Sequence, residues 1–258
     1  MILSNTNGAV ATLTFDNPER HNAISLEMWR EAAIALENFA ADPAVRVVVL
    51  TGAGDKAFVS GADISRFESE RNSAEAVATY NAAGDRLQQM LLDYPMPTLA
   101  AIRGYCMGGG VNIAVCCDLR IANDASRFAV PAAKLGLGYG FGSIRRLMDL
   151  IGPQFVYEML LTARQFDAGD ALRMGLVNRV VPENEMQTYV SELAATIAGN
   201  APLTLRAVKT SVREALKDPG ERDIPACEDL VRRCFESADY QEGRRAFMEK
   251  RRPVFKGS

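Results

Sequence analysis

Apolar residues recur along this chain in short strand-like runs and longer helical stripes that alternate through about residue 181; only helical stripes follow. Val10 to Phe15 reads as a strand stopped by the turn signal Asp16-Asn17-Pro18. Leu26, Trp29, Ile34, Leu36 and Phe39, between Ser25 as N-cap and Asp42-Pro43 as stop, predict an amphipathic helix. Val45 to Leu50 is a nearly continuous β-branched run, which predicts a strand buried on both faces. Strand, helix and strand make a crossover unit.

A Gly-rich loop, Thr51 to Asp63, leads to a predicted helix from Ser73 to Tyr94, ended by Pro95 and Pro97. Thr98 to Ile102 is the next strand, and Gly108-Gly109-Gly110 opens an apolar helix ending near Cys117. Leu119 to Ala122 and Phe128 to Val130 read as further strands. Beyond Pro182 helices are expected at 183–199, 202–217, 223–237 and 239–250. The pattern predicts a mixed α/β body, residues 1–195, and a helical region, residues 196–258. No internal repeat of solenoid length is evident.

Composition excludes several classes. The 258 residues carry 29 Lys+Arg against 32 Asp+Glu, a formal charge of −3, with no basic run to serve as a nucleic-acid footprint. The two longest stretches without a charged side chain, Met1 to Phe15 and Gly104 to Cys117, are 15 and 14 residues, short of the roughly 20 that span a bilayer. Neither nucleic acid nor a membrane is an expected partner. Met1 to Asn5 shows no basic or apolar leader, and the five cysteines lack C-x-x-C spacing; buried reduced thiols in a cytoplasmic protein are expected.

Most familiar motifs fail here. Gly52-Ala53-Gly54-Asp55-Lys56-Ala57 follows a strand and fits G-x-G-x-x-A loosely, but the residues after it continue as loop where a dinucleotide site needs a helix. No P-loop and no G-x-S-x-G elbow occur, and the single histidine, His21, cannot build a multi-histidine metal site. No metal is expected.

Two loops that follow strands are more informative: Ala57 to Ile64, and Arg103 to Gly110. Glycines at a helix start let main-chain amides approach a ligand, and the helix dipole adds positive potential there. A main-chain N–H from each loop would make a pair of donors for one developing oxyanion. The plainer reading of the triplet is tight helix–sheet packing, and both stand at this point.

Together these segments resemble the crotonase superfamily, the enoyl-CoA hydratase/isomerase family. The likeness runs nearly end to end, through Asn17-Pro18-Glu19-Arg20-His21-Asn22-Ala23, Phe58 to Ile64, Gly104 to Gly110, Cys117-Asp118, Gly175-Leu176-Val177-Asn178 and Ala246 to Phe255. The resemblance implies a ClpP-like α/β spiral of strand-strand-helix turns, a C-terminal helical trimerisation region, and a homotrimer or dimer of trimers. It implies an acyl-CoA thioester as substrate, coenzyme A being part of that substrate and no separate cofactor being needed. The amides of Ala62 and Gly109 would hold the thioester oxygen. Ala23, Gly61, Asp63 and Ile64 would lie along the bound thioester, Arg20 and His21 near its nucleotide end, and Phe247 and Lys250 on its adenine and phosphate side.

The two glutamates that hydratases of this family use are absent: counted from the triplet, the positions are Asn112 and Ala132. An amide cannot take a proton from water near neutral pH, and a methyl group can do nothing. The stretch Lys134 to Ile144 is similar to the segment carrying the active-site tyrosine of methylmalonyl-CoA decarboxylases, with Tyr139 in place, although those enzymes have a histidine where this chain has Ala62. Decarboxylation or another C–C cleavage is therefore expected ahead of hydration or isomerisation; an acyl-CoA binder without catalysis is the reading of another class.

Overall fold

The computed structural model describes residues 1–66 and 72–258. An N-terminal hairpin, β1 (Ile2–Asn7) and β2 (Val10–Phe15), opens a six-stranded sheet. It continues through β3 (Val47–Gly52), β5 (Thr98–Ile102), β7 (Leu119–Asn123) and β10 (Arg179–Val181), all parallel from β2 onward. A smaller sheet holds β4 (Ala57–Val59), β6 (Tyr105–Met107), β8 (Arg127–Ala129) and β9 (Phe166–Asp167) in that order.

The chain feeds the two sheets in turn. Strands β3 and β4 are followed by helix α2 (Ala74–Leu92), β5 and β6 by α3 (Gly109–Cys116), and β7 and β8 by α4 (Phe141–Thr162). Each turn adds one longer strand to the first sheet, one short strand to the second, and one helix. This is the expected spiral. Helix α1 (Leu26–Ala41) precedes it, with Ser25 Oγ accepting the Met28 N–H as its cap.

Strand β3 shows why the first sheet stays in the middle. Side chains of a strand alternate between faces; Val48 and Leu50 join the core that includes Trp29, Phe58, Leu87 and Phe128, whereas Val47 and Val49 join a second core. The second core is closed by Met186, Val190, Ala194 and Ala198 of α6 (Glu183–Ala198), reached after the short α5 (Ala168–Met174). Both faces of β3 are dry, as its β-branched run predicts.

Four stretches differ from the sequence reading. Strands β4 and β6 lie inside segments read as loops, because three residues between glycines carry no period. Strand β1 was not expected, since its side chains are mostly exposed. Helix α4 is masked by glycines at its start and by a break at Gly152 (φ 72°, ψ 165°) ahead of Pro153.

Helices α7 (Pro202–Leu216), α8 (Ile224–Glu236) and α9 (Ala238–Met248) follow. Lys209 of α7 donates to Asp118 Oδ2 at 2.7 Å and to the Met96 carbonyl at 3.0 Å, tying it to the spiral. Val208, Val212, Phe235, Phe247 and Met248 remain exposed around a groove of about 920 Å³. Among the described residues no helix is long and apolar enough to cross a membrane.

Candidate active site

The loop after β4 is aligned by a single parallel bridge. The Ile24 N–H donates to the Gly61 carbonyl at 2.8 Å, and the Asp63 N–H donates to the Ile24 carbonyl at 3.0 Å. In this pattern the residue between the two bonded ones, Ala62, turns its own N–H to the opposite side. That N–H has no acceptor among the described residues. Asp63 is buried, and its Oδ1 accepts from the Ser65 N–H at 3.1 Å and the Ser65 hydroxyl at 2.6 Å. Arg20 and Arg66 lie 3.7 and 3.9 Å from the same carboxylate, which therefore braces the loop. Ile64 opens a 3-10 turn, Ile64–Arg66; its side chain lies outside the described residues.

The second loop leaves β6 through Gly108 (φ 50°, ψ −106°), whose N–H donates to the Ala129 carbonyl of β8 at 2.8 Å. Helix α3 then starts without a side-chain cap, and the first amides of a helix have no intrahelical acceptor. A Cβ on Gly109 would lie 3.6 Å from the Trp29 ring and 3.9 Å from the Gly61 Cα, so the two loops abut. On Gly110 it would stand 2.2 Å from the Val59 carbonyl oxygen. Gly110 is thus a packing glycine, and Gly109 stands at a helix start without a side-chain cap.

Asn112 follows on α3, and its side-chain Oδ1 accepts a hydrogen bond from the Tyr139 hydroxyl. Tyr139 lies between the 3-10 helix Pro131–Leu135, which holds Ala132, and α4. Burial pushes the Tyr139 phenol above its ordinary range; the Arg146 guanidinium is the largest influence in the other direction. Arg146, on α4, donates to Gln88 Oε1 of α2 at 2.5 Å and to Ser143 Oγ at 3.2 Å. The buried thiol of Cys116, next along α3, is pushed up to about 11 by desolvation, with Arg146 opposing.

Arg20 and His21 form an exposed turn in which the His21 ring meets Tyr105 edge-on at 5.8 Å. Ala23 is buried beside the bridge. Asn22 holds the corner: its Nδ2 donates to the Ala53 and Ala57 carbonyls, and its Oδ1 accepts the Asn17 N–H. Phe247 lines the groove among α7 to α9, which shares no residue with the pocket at His21. Among the described residues no hydrogen bond or ion pair joins Phe247 or Lys250 to His21 or to the two glycine-bearing loops.

A sequence model described as enoyl-CoA hydratase/isomerase matches residues 5–258. The chain belongs to the enoyl-CoA hydratase/isomerase family. This member of the crotonase superfamily is 35% identical over 246 residues to a crotonyl-CoA hydratase from Syntrophomonas wolfei, covering 95% of this chain and 94% of the relative. It is 35% identical over 256 residues to a carnitinyl-CoA dehydratase from Salmonella enteritidis, covering 97% and 96%. The crystal structure of an enoyl-CoA hydratase/carnithine racemase from Magnetospirillum magneticum superposes with a TM-score of 0.95 at 38% identity, covering all (100%) of this chain and 96% of that one. In this family member, Arg146 and Gln88 are candidates that sequence reasoning missed. The available signal was a glutamine inside the buried stripe Tyr80, Gly84, Leu87, Gln88, Leu91 of α2.

Proposed function

We propose that this chain binds an acyl-CoA thioester with its carbonyl oxygen on the main-chain N–H groups of Ala62 and Gly109, and removes carbon dioxide from a carboxylated acyl group. The bond between the α-carbon and the carboxylate breaks, and its electron pair passes to the thioester as an enolate whose oxygen the two amides stabilise. Tyr139 or water then delivers a proton to the α-carbon, and solvent reprotonates the phenol. Coenzyme A enters and leaves with the acyl group, its nucleotide end along Arg20 and His21.

The observation that carries this reading is the Tyr139–Asn112 hydrogen bond. Asn112, Ala132 and a phenol raised by burial offer no base at neutral pH, and decarboxylation is the reaction of an enolate former that needs none. The names of the relatives favour a second reading, hydration of an enoyl-CoA with atypical acids. Incubation with malonyl-, methylmalonyl- and crotonyl-CoA, with products followed by mass spectrometry, separates the two. Turnover of crotonyl-CoA alone, unchanged in Tyr139→Phe, sinks the decarboxylase reading. Thermal stabilisation by many acyl-CoAs without turnover of any would leave a binder. The exposed apolar faces of α7 to α9 fit burial against further copies of the chain in a trimer or a dimer of trimers, which sedimentation would measure.

A further inference from the structure

Arg146, on α4 seven residues beyond Tyr139, has no counter-ion among the described residues. Its hydrogen bonds go to an amide oxygen, Gln88 Oε1, and a hydroxyl, Ser143. Its Nε is buried with no partner among the described residues. Gln88 is itself buried, with its Nε2 engaged by the Gly84 carbonyl at 3.1 Å. Neutral partners satisfy donors but leave the charge in place, and a guanidinium does not discharge by losing its proton. An isolated half-buried cation is costly unless an anion meets it.

Its position is fixed by its bond to Gln88, one turn from Gly84, and Gly84 and Gly109 both border the Trp29 ring, where a Cβ on either would lie 3.6 Å away; the Tyr139 phenol and the Cys116 thiol, four residues beyond Asn112 on α3, feel its charge. A simple tie between α2 and α4 would account for the bond to Gln88, but not for a guanidinium that no carboxylate among the described residues meets.

We propose that Arg146 determines specificity by pairing with a carboxylate carried on the acyl group of the substrate. This rests on the acyl-CoA reading above and names the residue that recognises the carboxylate of an acidic acyl-CoA ester. A planar guanidinium that only neutral groups meet among the described residues suits a carboxylate at its remaining N–H groups. An uncharged acyl chain at the same place would dehydrate the cation with nothing in return, so the site rejects it.

Calorimetric titration of the intact protein with methylmalonyl-CoA, succinyl-CoA and butyryl-CoA, equal in acyl carbons, tests this. The succinyl carboxylate is one carbon too far from the thioester to leave through its enolate, so that ligand survives the measurement. At least one acidic ester binds ten or more times tighter than butyryl-CoA. In Gln88→Glu, which gives Arg146 an internal carboxylate, that ratio falls about tenfold or more; Arg146→Gln has the same effect and Arg146→Lys a smaller one. Should Arg146→Gln fail to fold, Gln88→Glu carries the test. A wild-type protein without preference, or a preference surviving in Gln88→Glu, overturns the assignment and leaves the acyl-CoA reading standing. Wild-type protein that binds no CoA ester overturns both.

Discussion

Gly110 lies so close to Val59 that a Cβ on it would stand 2.2 Å from the Val59 carbonyl oxygen and 3.0 Å from the Val59 Cβ. The start of α3 is thereby pressed onto strand β4, and the neighbouring Gly109 amide inherits its position from that contact. Gly110→Ala must push helix and strand apart, at a cost of about 1–3 kcal/mol in overpacking. The same change at Gly109 meets only ordinary contacts with Trp29 and Gly61. Urea unfolding should therefore show Gly110→Ala clearly destabilised and Gly109→Ala close to wild type. Equal stability of the two variants would show that the triplet is not divided in this way.

Tyr139 supplies the second prediction. Its hydroxyl is the donor to Asn112, and burial holds it protonated well beyond the ordinary phenol range. Tyr139→Phe removes only the hydroxyl, so fold and CoA affinity persist while turnover falls, by roughly 10²–10⁴ if the phenol delivers the proton. Because the folded phenol titrates above its ordinary value of 10.0, the wild-type rate should show no alkaline decline from this group below that pH. A decline centred near pH 9 that disappears in Tyr139→Phe would contradict the assigned environment.

Asn22 carries the third. Its buried amide makes three hydrogen bonds, to Ala53, Ala57 and Asn17, at a backbone φ of 56°. Asn22→Ala leaves those main-chain groups unpaired and places alanine in the left-handed region, so a loss of roughly 1–3 kcal/mol is expected. Asn22→Asp should be at least as damaging, because a carboxylate would face two carbonyl oxygens. Denaturation midpoints for both variants within error of wild type would remove Asn22 from its place as the corner of the site.

How much of this could be read in the sequence depends on how far each feature extends along the chain. Strands β2, β3 and β5, helix α1 and the last four helices were legible because each repeats its apolar period several times. The three-residue strands β4 and β6 had no room for a period, and α4 is broken by Gly152-Pro153. The two loops that hold Ala62 and Gly109 could be singled out because a close approach of backbone constrains the residues around it, glycine above all. Arg146 was not. Its isolation depends on Gln88, 58 residues away on α2, being an amide and not a carboxylate, and a contact between helices leaves no spacing in the sequence.

The C-terminal segment that follows α9 is held by Glu242, whose carboxylate accepts from Arg251 Nη1 and Nη2 at 2.6 and 2.9 Å and from the Val254 N–H at 3.1 Å. The Arg251 hydrogen bonds, with the Val254 N–H, hold its pKa at about 2 against an ordinary 4.5. A carboxyl depressed in the folded state stabilises fully above its unfolded value, and that contribution disappears as pH falls through the folded one. The Glu242→Gln variant should therefore melt below wild type at neutral pH, with the gap closing between pH 4.5 and about 2. Phe247 and Lys250 lie between the two anchors Glu242 and Arg251, so the variant should also bind CoA more weakly at neutral pH if these residues meet the nucleotide. A melting gap that stays constant down to pH 2 would show that Glu242 acts through packing and not through its charge.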